Sequence, residues 1–386
     1  MRISLLAAVL VGVTSAGAAA ASEDVELPST IATTAYDVGS TGYSNMVAIS
    51  SALKNKYGVN LRVLPGKNDV ARIIPLAEGK VDLGASGTDS VFAQEGVFVF
   101  GRKGWGPVPL RVSITSVTRG ANVAFAVTEK GGIRKIEDLK GKRVAFIRGG
   151  PTSEQHAKAL LAFGGLTWDD VVRVEQPGFA AQARALVEGQ VDAIATSTTA
   201  PDNLRQEASP LGLHFIELPH DNKEGWERLQ SVVPWLFPQV ATEGPTLPPE
   251  GKEMSASPYP ILLALDSKDA DFVYNMTKAV VLAYPDYKDA VPGSDGWALE
   301  RQKFDGTFIP HHEGAVRYYK EIGVWKPEYE TRRDELVQRQ EVLQKAWADY
   351  TAASGDQDEQ AFEQGWMKAR ADALNAAGLI TIVDNW

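Results

Sequence analysis

Apolar positions along the chain alternate between two periods. TIATTAY (30–36) is rich in β-formers, and Met46, Ile49, Leu53 and Tyr57 then recur at helical spacing. LRVLPG (61–66) predicts a strand, Val70, Ile73, Ile74 and Ala77 a second helix, and VDLGAS (81–86) a closing strand. The same order is written again from residue 141. Strand RVAFI (143–147) precedes a stripe of His156, Ala159, Leu160 and Phe163, then strand VVRVEQPG (171–178), a helix around Phe179, Ala183, Leu186 and Val187, and strand DAIATS (192–197). LAEGKVDLGASGTD (76–89) and LVEGQVDAIATSTT (186–199) align at one offset, placing Glu78, Gly79, Val81 and Asp82 on Glu188, Gly189, Val191 and Asp192. Strands and helices alternating at these lengths build mostly parallel sheets covered by helices. The repeat therefore predicts two similar α/β lobes, and 386 residues suit two domains better than one.

Between the copies, PLRVSITS (109–116) and NVAFAVTEK (122–130) read as strands carrying the chain from one lobe to the other. Residues 234–260, rich in Pro, Gly, Ser and Glu, read as a second passage or a long surface loop. ILLAL (261–265) and the helix DADFVYNMTKAVVLAY (269–284) then return the chain to the first lobe. From Pro327 the composition turns polar; Leu336, Leu343, Trp347 and Tyr350 share one helical stripe, SGDQD (354–358) interrupts it, and Phe362, Trp366 and Ala369 continue on a second. That pattern predicts an αα-hairpin packed on the body. The expected organisation is a leader at 1–21, a first lobe from 22–116 and 252–325, a second lobe from 117–251, and a C-terminal helical tail at 326–386.

The leader expectation rests on Arg2, an apolar run from Ile3 to Val13 and an Ala-x-Ala end at Ala19–Ala21, the pattern of a cleavable secretory signal. The run is shorter than the roughly 20 residues a bilayer requires. Absence of cysteine excludes both a lipid anchor on a mature N-terminal cysteine and a disulfide scaffold. A periplasmic location follows as the expectation. The formal net charge of −10, with no basic stripe, argues against nucleic acid as a partner.

Ligands of parallel α/β sheets sit beyond the carboxyl ends of the strands, where loops meet helix N-termini. Both copies put their distinctive loops there: Asp37-Val38-Gly39-Ser40-Thr41-Gly42-Tyr43 in one and Arg148-Gly149-Gly150-Pro151-Thr152-Ser153 in the other. Glycines let a ligand approach the backbone, and helix amides and dipole favour an anion. Ser86 and Thr88 close the first unit where Thr196 closes the second, offering hydroxyls to a polar ligand. Arg148 is positioned to grip a carboxylate, with Arg72 and Arg119 as weaker alternatives, and Tyr36, Tyr43 and Phe179 as walls. Ordinary strand-to-helix turns use the same glycines and hydroxyls, and Arg148 equally suits a surface ion pair.

Catalytic signatures are missing. GASGTDS and GSTGYS are not the nucleophile elbow G-x-S-x-G, and neither loop carries a dinucleotide or P-loop fingerprint. The adjacent pair His311-His312 suits a structural role better than a metal site, and His156, on an apolar stripe, reads as a core residue. No enzyme activity, metal or cofactor is expected.

With these features in place, the chain resembles the TAXI-type solute-binding subunits of TRAP transporters from about Thr30 to Trp325. The resemblance is carried by YDVGSTGYSN (36–45), EGKVDLGASGTD (78–89), IEDLKGKRVAF (136–146) and above all HEGAVRYYKEIG (312–323), where Glu313 stands in place of the family's proline. A second departure is Arg148-Gly149-Gly150-Pro151-Thr152, where the family has a longer Gly-Ser-Gly-Thr loop. The resemblance implies a periplasmic-binding-protein-like fold with two hinged lobes. It also implies capture of a small organic anion, such as glutamate, a dicarboxylate or a 2-oxoacid, by a monomeric receptor that hands it to a sodium-driven permease. Alternatives are a periplasmic ligand sensor for a signalling kinase and a serine hydrolase using Ser86 or Ser40. The tail beyond residue 326 lies outside what most such subunits carry.

Overall fold

The computed structural model describes residues 24–118, 122–304 and 306–383. The predicted leader and Arg119 lie outside them.

The first copy forms β1 (Thr30–Ala35), α1 (Thr41–Tyr57), β2 (Asn60–Pro65), α2 (Asp69–Ala77), β3 (Leu83–Ser86), α3 (Thr88–Glu95) and β4 (Leu110–Thr115). The second forms β5 (Val123–Val127), β6 (Arg143–Ile147), α4 (Pro151–Phe163), β7 (Val172–Gln176), α5 (Phe179–Val187) and β8 (Ala193–Ser197). Then follow α6 (Asp202–Glu207), β9 (His214–Phe215), α7 (Lys223–Val232), β10 (Phe237–Ala241), β11 (Lys252–Ala256) and β12 (Ile261–Leu265). The chain ends in α8 (Ala270–Leu282), α9 (Tyr284–Tyr287), α10 (Glu313–Glu321), α11 (Pro327–Ala353) and α12 (Glu359–Ala376).

One sheet has the order β2-β1-β3-β12-β4; the other runs β10-β11-β5-β8-β6-β7, with β9 beside β5. The two-lobed α/β architecture read from the repeat is thus present. Each sheet contains a parallel trio, β2-β1-β3 and β7-β6-β8, as alternating βα units require. Both trios are extended by antiparallel strands, β12 and β4 in the first sheet and β5 with β11 and β10 in the second, so the sheets are mixed. These added strands flank the crossings, where the chain enters a sheet without a helical crossover to reverse it.

The stretch 234–260 is more ordered than its composition suggested. Phe237–Ala241 and Lys252–Ala256 pair as a hairpin on the second sheet. Pro238 is tolerated because β10 is an edge strand, where one missing N–H leaves no neighbour unpaired. The return crossing therefore lies at 257–260, after β11, rather than at residue 252 as the sequence suggested. Helices α3, α6 and α7 were also not foreseen.

The repeated Glu-Gly-x-Val-Asp segment is scaffold. Gly79 and Gly189 take left-handed φ of 66° and 69° to end α2 and α5. Val81 and Val191 are buried. Asp82 Oδ2 accepts the Ala32 amide of β1 at 2.9 Å, and Asp192 Oδ2 accepts the Arg143 amide of β6 at 2.8 Å. Each aspartate anchors the start of the strand whose far end carries a candidate loop. The motif 312–323 is likewise structural. His312 accepts the Gly314 amide at Nδ1 and bonds Lys268 O at Nε2, and a Cβ on Gly314 would stand 2.1 Å from Ala270 O, so α10 and α8 pack backbone to backbone. His311 lies among Phe304, Tyr319 and Trp325.

The tail forms the predicted αα-hairpin and packs on the first lobe. Glu95, the last residue of α3, receives Arg339 of α11 through Nε at 2.6 Å and Nη2 at 2.8 Å, and Arg370 of α12 at 2.8 Å. Trp366 donates its indole N–H to Gly96 O at 2.6 Å.

Candidate functional site

Loops at the carboxyl ends of both parallel trios face each other and enclose a cavity of about 100 Å³. From the first lobe it is lined by Tyr36, Asp37, Ser40, Thr41, Lys67, Asn68, Asp69, Arg72 and Thr88. The second contributes Ile147, Gly150, Thr152, Ser153, His156, Phe179, Ala195, Thr196 and Ser197, and the crossings add Asn122, Val123, Ser257 and Tyr259. Its volume holds roughly seven to ten water-sized groups, the size of a small metabolite. Among the described residues no group of three or more His, Asp or Glu is arranged to hold a metal ion.

The four helices aimed at the cavity begin in two ways. In the first lobe, Ser40 Oγ accepts the Tyr43 amide of α1 and Asn68 Oδ1 accepts the Ala71 amide of α2, so both helices carry side-chain caps of their own. In the second, α4 and α5 start at Gly150 and Gly178, which have no side chain to offer. Their amides are met from across the cleft. Asp69 Oδ2 accepts the Thr152 amide at 2.7 Å, and Asp37 Oδ2 accepts the Ala180 amide at 3.3 Å. Two carboxylates of one lobe thus sit at the positive ends of two helices of the other. Further cross-lobe bonds join Thr41 to Thr199 (3.0 Å) and Thr88 to His156 Nε2 (3.2 Å) and the Trp235 indole (3.0 Å).

Beneath this contact lies a buried charge cluster. Arg72 bonds Asp69 through Nη2 and Asp89 through Nε (3.3 Å) and Nη2 (3.1 Å). Asp89 also accepts the Ser86 hydroxyl and the Gly87 amide. The Tyr36 ring covers the guanidinium at 4.1 Å and meets Tyr259 edge-on at 4.8 Å. Burial raises Asp69 to about 6, partly countered by Arg72 and reinforced by Asp89. Burial likewise lowers His156 to about 4 and raises Tyr259 to about 12. The Tyr36 hydroxyl is buried with no hydrogen-bond partner among the described residues.

The sequence candidates divide into three groups. Tyr36, Ser40, Thr41, Thr88, Thr152, Phe179 and Thr196 line the cavity. Gly39, Gly149 and Ser86 adjoin it without lining it. A Cβ on Gly39 would stand 2.5 Å from Asp202 Oδ2 of the second lobe, and one on Gly149 3.2 Å from Asn68 Nδ2 of the first, so these glycines serve close approach of the lobes. Ser86 lies behind the wall, held by Asp89.

Arg148 and Tyr43 face elsewhere. The Arg148 guanidinium is exposed and paired with Glu175, the surface ion pair that was its alternative. Strand alternation at the end of β6 carries the chain outward there, so the next residues, not Arg148, reach the cavity. Tyr43 packs on the core of the first lobe, because the third helical position of α1 turns away from the cleft. The buried cation at the cavity is Arg72, which the sequence offered only as a weaker alternative. His156, read as core, lines the cavity instead.

Asp37, Asp69 and Asp89 were missed as functional groups. Their only sequence signal is an acid beside each loop, which helix N-termini favour anyway. Neither serine of the hydrolase alternative is bonded to a histidine: Ser40 Oγ donates to Asp37 O and Ser86 Oγ to Asp89.

Among known proteins, the model of the NMT1-like family matches residues 31–323. Solved structures similar to this chain include the alkanesulfonate-binding protein SsuA from Xanthomonas axonopodis pv. citri bound to MOPS, at 16% identity over 84% of this chain and 94% of that one, TM-score 0.45. An ancestral arginine-binding protein bound to arginine shares 20% identity over 70% of this chain and 96% of that one, TM-score 0.42. The methionine-binding protein MetQ shares 16% over 69% and 96%, TM-score 0.42.

Proposed function

The chain belongs to the NMT1-like family, and on that premise we propose that it is an extracytoplasmic solute-binding receptor of the TAXI type. It captures a small organic anion, such as glutamate, a dicarboxylate or a 2-oxoacid, and delivers it as a monomer to a sodium-coupled TRAP permease. The observation that carries this reading is the cavity of about 100 Å³ enclosed by the duplicated loops of two lobes. Its polar lining supports a polar solute: Ser40, Thr41, Thr88, Thr152 and Thr196 supply hydroxyls, the α4 amides, Lys67 and Arg72 supply positive charge beside the carboxylates of Asp37 and Asp69, and Tyr36 and Phe179 form apolar walls.

The lobes divide after β4 and at the crossing near 257–260, with the tail from 326 carried on the first. A division of this kind permits hinge motion, and a solute touching both sides favours closure. Closure is the signal a permease reads. Thermal denaturation with L-glutamate, succinate and 2-oxoglutarate tests the reading. A true ligand at 100 times its Kd adds about 2.7 kcal/mol and raises the Tm. No shift with any of these acids up to millimolar concentration refutes the organic-anion claim.

A further inference from the structure

The caps of α4 and α5 come from the opposite lobe, and one of the two capping residues belongs to the buried charge cluster. We propose that Asp69 is an internal counterpart of the ligand's carboxylate: a bound acid takes over the α4 N-terminus and part of Arg72 from Asp69, and Asp69 accepts one proton as it gives them up. This rests on the organic-anion reading above and specifies how the site accommodates that charge.

Three observations converge. First, Asp69 Oδ2 holds the Thr152 amide at 2.7 Å, and α4 has no cap of its own because Gly150 precedes it. Both Thr152 and Gly150 line the cavity, so the amide that meets Asp69 borders the space a ligand enters. Second, the charges do not balance. Arg72 faces two carboxylates, Asp69 and Asp89, and the three together carry a formal charge of −1 when ionised. Adding a ligand carboxylate makes −2 around one guanidinium in a buried site, which is costly in low dielectric. Exchanging one negative charge for another, with a proton taken from solvent onto Asp69, leaves the total at −1. Third, Asp69 is the member placed to take that proton. It lines the cavity, whereas Asp89 is enclosed and holds Ser86 Oγ and the Gly87 amide as well as Arg72.

The charged and titratable groups sharing the site are Arg72 on the same helix, Lys67 just before it, Asp89 on α3, Tyr36 and Asp37 after β1, Tyr259 before β12 and His156 on α4. Burial already raises Asp69 to about 6, and a second carboxylate at Arg72 raises it further. His156, lowered to about 4, stays neutral above that range and does not supply the proton exchange.

Isothermal titration calorimetry with L-glutamate, succinate and 2-oxoglutarate, repeated in buffers of different ionisation enthalpy, counts the protons. For the wild-type protein at pH 7.5, uptake approaches one proton per acid bound. Its Kd rises up to tenfold per pH unit between about pH 6.5 and 8 and levels off below about 6. Asp69→Asn, which still offers an oxygen to the Thr152 amide, removes both the uptake and the slope, and binds more tightly than wild type at pH 8. Wild-type binding with no proton uptake and a flat pH profile overturns the role of Asp69 while leaving the organic-anion reading in place. Failure of all three acids to bind between pH 5.5 and 8 overturns both. The proton count on the unmutated protein stands whether or not the variant folds.

Discussion

Replacing Glu95 by Gln isolates what holds the C-terminal hairpin to the first lobe. The side chains of Glu95, Arg339 and Arg370 are 1%, 6% and 0% exposed, so the cluster is screened by little water. One carboxylate serves two guanidiniums, with contacts of 2.6 and 2.8 Å to Arg339 and 2.8 Å to Arg370. Glutamine keeps the shape and removes the charge that the Arg339 and Arg370 guanidiniums share. Breaking one buried pair costs about 3–5 kcal/mol, and the shared acceptor puts this case toward the upper end. For a cooperative unit of about 200 residues that lowers the Tm by about 10 °C or more.

Differential scanning calorimetry gives the magnitude, and limited proteolysis shows where the loss falls. The expected first cut is near 354–358, between α11 and α12, as Trp366 leaves Gly96. A compensating triple variant, Glu95→Leu with Arg339→Met and Arg370→Met, should recover most of the loss, because apolar groups of similar volume replace such triads at little cost. A Glu95→Gln protein that melts within about 1 kcal/mol of wild type would refute the reasoning, since the charge would then contribute no more than an exposed pair.

Arg148→Ala should leave acid affinity within about twofold and the Tm essentially unchanged, because its guanidinium is exposed and paired with Glu175 on the surface; calorimetry reads both. Acidification should destabilise the protein between about pH 6.5 and 4. Burial lowers His156 to about 4 and His311 to about 3, so the folded state binds fewer protons than the unfolded chain in that window and loses stability as pH falls. Asp69, raised to about 6, and Glu154, Asp202 and Glu243, also raised by burial, contribute the opposite slope, while His214, lowered to about 4, and His312, also lowered, add to the acid loss, so the histidines set the net direction. His311→Phe, placed among Phe304, Tyr319 and Trp325, should flatten the acid limb of the Tm profile; an unchanged limb contradicts the assignment.

The duplication was legible in the sequence because it is written in local chemistry. Glycine must end α2 and α5 in left-handed geometry, a buried valine must follow, and an aspartate must reach the next strand's amide. Those needs repeat at one offset, so the fold and the placement of both loops could be read. The hairpin β10–β11 was hidden because edge strands tolerate the prolines and polar residues that otherwise signal loops. The candidate site was half legible for a related reason. Loop position predicts which backbone reaches the cleft, and Ser40, Thr41, Thr152 and Thr196 followed it there. Side-chain direction is a matter of strand alternation and helix phase, which sent Arg148 and Tyr43 outward and brought Arg72 and His156 in. The cross-lobe caps involve partners far apart in the chain, Asp69 with Thr152 and Asp37 with Ala180, and no local pattern encodes such pairs.

The central claim is that the space between the duplicated loops is where a solute binds. Its most direct test is calorimetric titration of the best-binding organic acid into wild type and into Thr196→Trp, which puts an indole into that space from the end of β8. Saturable one-to-one binding to the wild type, lost or weakened at least a hundredfold in a variant that still melts cooperatively, is the predicted result. Equal affinity in the two proteins would place the solute elsewhere and contradict the account.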